Sequence, residues 1–263
     1  MLERTSMSAP NKDLSFDVPA ADARRGAWLS GTLAVLTAAT LGIAFATPPL
    51  SGPWCTGGCF PYPFTGIESR YPRDYYWMFP AMVVSVLFIA VLISVHRAAA
   101  ERVKFFSALG LVLGTVGAST LLIDYWVQLA VIQPSVLKGE TDGIALLSQF
   151  NAHGVFIALE ELAFFVMSFG LFCLAPVFWR ARAPGRAMSW VLVSNFALAI
   201  IALVSIAAVY GLGREYFFEI AIISIVWLTL PVWGLLLAVL FHRAREEVRT
   251  RERAGHEALP APQ

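Results

Sequence analysis

Six long apolar runs, near 27-48, 75-96, 105-133, 153-179, 188-210 and 217-241, dominate the chain. Each can cross about 30 Å of hydrocarbon, which takes about 20 residues of helix. Lipid offers no hydrogen bonds to a backbone, so a spanning run must satisfy its own N–H and C=O groups; these runs are too long and too apolar for barrel strands. The expected fold is therefore all-α, a polytopic transmembrane helix bundle with six spans. Composition agrees, because charged residues make up only 14% of the chain, against roughly 25% in a soluble domain. Residues 1-26 read as a polar segment without fixed structure, 27-241 as the membrane domain, and 242-263 as a charged tail that continues the last helix before fraying.

Lys and Arg are distributed unevenly over the connecting segments. One alternate set holds only Arg70, Arg73, Lys138 and Arg214 of the 19 basic residues; the other set, including both termini, holds the rest. The positive-inside rule puts that richer side, and both termini, in the cytoplasm. An even number of spans gives the same answer. Ala44-Phe45-Ala46 resembles a signal cleavage site, but the polar leader is long and the apolar run exceeds a signal core, so the first run is read as a retained span. The expected location is a multi-pass cell membrane. The bilayer is thus the first partner. A formal net charge of +1 gives no reason to expect nucleic acid.

Three carboxylates interrupt the apolar runs: Asp124, Glu160 and Glu161. Charge near a bilayer centre is costly, and such residues mark functional sites by default. Asp124 lies nine residues before Gln133, roughly 13 Å below the outer end of the third span; Glu160 lies seven residues beyond His153, roughly 10 Å below the outer end of the fourth. Sequential antiparallel helices pack together, so Asp124 and Glu160 should share a depth and a neighbourhood. Thr120, Asp124 and Gln128 repeat every four residues along one face. His153 is two turns from Glu160, hence on its side of the helix, while Glu161 points about 100° away toward another helix. Glu219 could join the rim, and Tyr125 and Tyr210 are candidate hydrogen-bond partners. Carboxylates this close cannot all ionise in a low dielectric, so at least one should carry a proton near neutral pH unless a cation lies between them.

The ligand-binding candidates are thus Asp124, Glu160, Glu161, Gln128 and His153. No metal centre is expected, because His153 and Glu160 are about 10 Å apart; His96 and His242 lie at the opposite boundary, so no haem or other cofactor is expected either. In the outer loop 49-74, Cys55 and Cys59 flank Thr56-Gly57-Gly58; an oxidising compartment favours a disulfide there. Tyr71, Tyr75, Tyr76 and Trp77 read as an interfacial aromatic belt. Ile144 to Leu147 could form a short interfacial helix. Gly110 and Gly114 clear a face of the third span for close packing. Asn195 is read as a bond between helices, Cys173 as a buried small hydrophobe, and Pro231 as a static kink.

Three stretches, Tyr71 to Pro80, Asp124 to Glu140 and His153 to Leu162, resemble an uncharacterised family of bacterial six-span integral membrane proteins. The resemblance extends over all six spans and implies a bacterial inner membrane; it implies nothing about mechanism.

The expected function is an outer-facing buried acidic pocket, between the third and fourth spans, that binds or transports a proton, a small cation or an amine-bearing solute. No catalytic motif is present, so enzymatic activity is not favoured. The alternatives are a membrane-embedded enzyme or redox protein acting on a lipid or quinone, and a non-catalytic assembly or sensory subunit. Six spans are few for a transporter, and a homo-oligomer would supply more.

Overall fold

The computed structural model describes residues 18–47, 49–181 and 184–257. The first 17 residues and the last six, which belong to the expected leader and tail, lie outside the described residues. Six helices are long and apolar enough to cross a membrane: α1 (Ala20–Ala46), α2 (Met78–Ala98), α3 (Lys104–Val127), α4 (Val155–Phe178), α5 (Gly185–Tyr210) and α6 (Glu215–Glu257). There is no β-strand among the described residues. α1 begins within the leader, at Ala20. α3 does not stop at Val127; it widens into a π-helical turn at Gln128–Ile132 and resumes over Gln133–Leu137. A separate turn of helix forms at Ile144–Leu147, where a short interfacial helix was expected.

Each helix packs on the next, and α6 returns to lie along α1. α1, α2, α3, α4 and α6 therefore close a ring. α4 packs against α3, α5 and α6, which explains its long roll of buried residues. α5 touches only α4 and α6 closely and turns most of its surface outward.

Small residues draw the helices together. A Cβ at Gly117 would meet Met167 Cγ at 2.5 Å and the Ala163 carbonyl at 2.6 Å, and one at Gly110 would meet the Gly170 carbonyl at 2.8 Å. These two glycines thus bring α3 against α4. Gly114 differs from the expectation of one shared face, because the space left by its missing side chain is filled by Leu92 and Phe88 of α2. On the other side of the ring, Gly26 lies beneath the Phe241 ring and Gly234 faces the Ser30 carbonyl. Such close backbone approach supplies dispersion contacts where lipid removes the hydrophobic drive between helices. Asn195 of α5 ties three helices: it accepts from Ser168 of α4 at 2.6 Å and donates to Thr229 Oγ1 of α6 at 2.8 Å, as expected of a bond between helices. Cys173 is buried and free.

Candidate functional site

At the end of the bundle that carries the long loop 47–77, the α1–α6 contact opens. Thr40 is the last buried residue of α1, and none from Leu41 to Ala46 is buried. A cavity of about 540 Å³ occupies the resulting gap. That lies within the range of about 300–1,000 Å³ typical of small-molecule sites. α1 lines it with Leu41, Ala44 and Phe45, α6 with Tyr216, Glu219, Ile223 and Trp227, and α4 with Phe156 and Glu160. The loop contributes Trp54, Asp74 and Trp77.

Two carboxyl groups meet at this wall. Glu160 of α4 and Glu219 of α6 are both buried and stand within hydrogen-bonding reach of each other. Such a contact closes only if a proton or a cation lies between them. Behind Glu160, the buried Tyr125 of α3 donates to its Oε1 at 2.7 Å. Asp124 is buried on α3, near enough to Glu160 for their charges to interact, and its Oδ2 has no partner. A third acid reaches the cavity from the loop. Asp74 is 2% exposed; Arg73 Nε donates to its Oδ1 at 2.6 Å, while Oδ2 has no partner. Among the described residues, no Lys, Arg or His lines the cavity.

A fold-back of the loop closes the cavity above. The Phe60 amide donates to the Leu50 carbonyl at 2.8 Å, and Cys55 and Cys59 are joined in a disulfide. Gly52, at φ +75°, passes over the Tyr216 ring; a Cβ there would approach the ring within 2.7 Å, so both its backbone conformation and the contact require glycine. Tyr216 donates its hydroxyl proton to the Phe150 carbonyl at 2.8 Å and accepts from Ser51, fastening two loops to α6. Trp54 packs edge-on against Phe217.

This cavity does not lie between the third and fourth spans, where a pocket was expected. Of the five binding candidates, only Glu160 lines the cavity, which lies between α1, α4 and α6. Asp124 is buried on α3, within electrostatic range of Glu160, and does not line the cavity. Glu161 points away as expected and pairs with Arg214 at 2.9 Å. Gln128 acts as a clamp: its amide donates to the Leu147 carbonyl at 2.6 Å and accepts from the Gln149 amide, so it holds a loop against α3. His153 does not share a face with Glu160, because α4 starts at Val155; its ring is exposed and lies 3.0 Å from Glu215 Oε1. Tyr210 stacks on Phe217 instead of reaching an acid. Sequence reasoning missed Asp74, and it had read Trp77 as part of the interfacial aromatic belt. The expected aromatic belt is split: Tyr71 and Tyr76 are exposed, Tyr75 is fully buried, and Trp77 packs 5.2 Å from Tyr125. Among the described residues no three His, Cys, Asp or Glu side chains converge as a metal centre would need.

Compared with protein-family models, curated proteins and solved structures, the chain matches none.

Proposed function

We propose that this protein binds, and transports or senses, a cationic solute bearing an amine in the cavity between α1, α4 and α6. One observation carries this reading: two buried carboxyls, Glu160 and Glu219, meet at the wall of an otherwise aromatic and apolar chamber. A cation placed there would satisfy both at once. The unpartnered Asp74 Oδ2 supplies a third acceptor. Trp54, Trp77 and Trp227 line the same space, and indole faces attract cations by about 0.5–2 kcal/mol, most where water is excluded. A small hydrated metal ion would gain little from such walls, whereas an ammonium group on a carbon skeleton uses both features. When the cavity is empty, a proton between Glu160 and Glu219 takes the place of the cation, so binding and proton release are coupled. The basic-residue asymmetry supports a bacterial inner-membrane arrangement in which the cavity faces outward and both termini are cytoplasmic.

The test is thermal unfolding of the purified protein with ethylamine, tetramethylammonium and sodium. The amines should raise the midpoint; Glu160→Gln and Glu219→Gln should remove that shift, and His153→Gln should keep it. Equal shifts in all variants would refute the site. Uptake of a shifting amine into vesicles would separate transport from binding alone.

A further inference from the structure

The cavity is bounded on one side by the folded-back loop and on another by the parted ends of α1 and α6. On the loop side, Leu50 is buried, Ser51 is bonded to Tyr216, Phe60 packs on Phe150, and the Cys55–Cys59 disulfide lies in the same fold-back. On the lateral side, α1 and α6 are in close contact from Gly26 and Phe241 to Ala34 and Gly234, then part beyond Thr40. The lining residues that are exposed are Phe45, Pro49, Trp54 and Ile220. None carries a charged side chain. Phe45, 74% exposed, stands on α1 facing the gap, and Ile220 stands on α6. The acids lie inside, all buried.

This polarity, apolar at the entrance and anionic at depth, is the reverse of an aqueous vestibule for cations, where rings of charged side chains face the water. It matches a molecule whose cationic head leads and whose apolar body trails into hydrocarbon. We propose that the ligand is a membrane-dissolved amphiphile with a single amine head, entering sideways between the end of α1 and the start of α6. The inference rests on the amine-binding reading and adds the ligand's class and its route. A phosphate-bearing lipid does not fit, because its phosphate would stand against Glu160, Glu219 and Asp74, with no basic side chain among the described lining residues to offset them. The fit lies in both parts: charge complementarity at the carboxyls, and apolar contact with Leu41, Ala44, Phe45 and Ile223 along the walls.

The experiment uses the full chain in phosphatidylcholine nanodiscs and follows tryptophan quenching by 11-bromoundecylamine. Neutral 11-bromoundecanol is the control for partitioning into the bilayer, and Trp227→Phe, which keeps Trp54 and Trp77, shows what share of the quenching Trp227 reports from within the cavity. The amine should quench saturably at concentrations about tenfold or more below the alcohol. That difference should vanish in Glu219→Gln. Ala44→Phe and, separately, Ile220→Phe narrow the gap without touching an acid. Each should weaken bromoundecylamine about tenfold more than it weakens ethylamine. If ethylamine binds but bromoundecylamine competes no better than ethylamine itself, lateral entry is overturned and the amine site stands. If neither amine binds, both fail. If the rim variants leave bromoundecylamine unaffected, the route between α1 and α6 is wrong.

Discussion

Tyr125 of α3 holds Glu160 of α4 from behind, its hydroxyl 2.7 Å from Oε1. The ring is completely buried and braced edge-on by Trp77, so the donor is fixed before any ligand arrives. One oxygen of Glu160 is thereby committed to the scaffold, and its carboxyl can keep one orientation toward Glu219 and the cavity.

Tyr125→Phe keeps the packing and removes that donor. It should lower stability by about 1–3 kcal/mol, the usual cost of stranding a buried polar partner. It should also reduce the amine-induced thermal shift, because Glu160 loses its anchor. Unfolding with and without ethylamine measures both effects; a variant with unchanged stability and unchanged shift would contradict the arrangement.

Arg214 and Glu161 form a latch between the α5–α6 turn and α4. Glu161 Oε1 already has no partner, so Arg214→Ala leaves a largely buried carboxylate with nothing to balance it. The pair is partly exposed, so the expected loss is about 1–3 kcal/mol, less than the full cost of breaking a buried pair. Arg214→Met with Glu161→Leu should recover most of it. A double variant no more stable than the single one would show that the ion pair is not what the latch depends on.

Gly117→Val should destabilise the bundle by about 1–3 kcal/mol, because its side chain would press into the Ala163 carbonyl and the α4 backbone. Gly42 has open space around its Cβ position, so Gly42→Ala should be neutral or slightly stabilising through helix propensity. Paired unfolding measurements on the two variants separate packing from propensity.

The disulfide closes a very short loop, for which chain-entropy estimates give about 2 kcal/mol. Cys55→Ser with Cys59→Ser should lose up to about that much and weaken amine binding, since the cavity's cover would loosen. The same cysteines report sidedness. In intact cells, an impermeant reductant followed by an impermeant maleimide should label Cys55 and Cys59, while a cysteine placed at Arg245 should stay unlabelled. The opposite pattern would reverse the orientation.

Helix number, the disulfide and the bonding of Asn195 between helices were legible because each depends on local composition or on a single side chain's needs; that Asn195 reaches two helices at once was not. The nearness of Asp124 and Glu160 was legible too, since adjacent antiparallel helices share depth. The cavity was not. It arises where α6 returns to α1, a contact between the two ends of the chain that no periodicity in either helix announces. Glu219 was therefore ranked as a rim residue, although it faces Glu160. Asp74 lay hidden among loop aromatics, because nothing local tells which residue of a belt turns inward. His153 was misjudged through helix register: Gly154 precedes the first turn of α4, so a two-turn spacing did not apply.

α6 contains 43 residues, about 64 Å of continuous helix, roughly twice the hydrocarbon thickness. Glu219 sits in its second turn; Arg243, Arg245 and Arg249 ride its far end. One helix, its hydrogen-bond ladder interrupted at Pro231, thus carries both a wall of the cavity and the basic residues of the opposite end of the bundle.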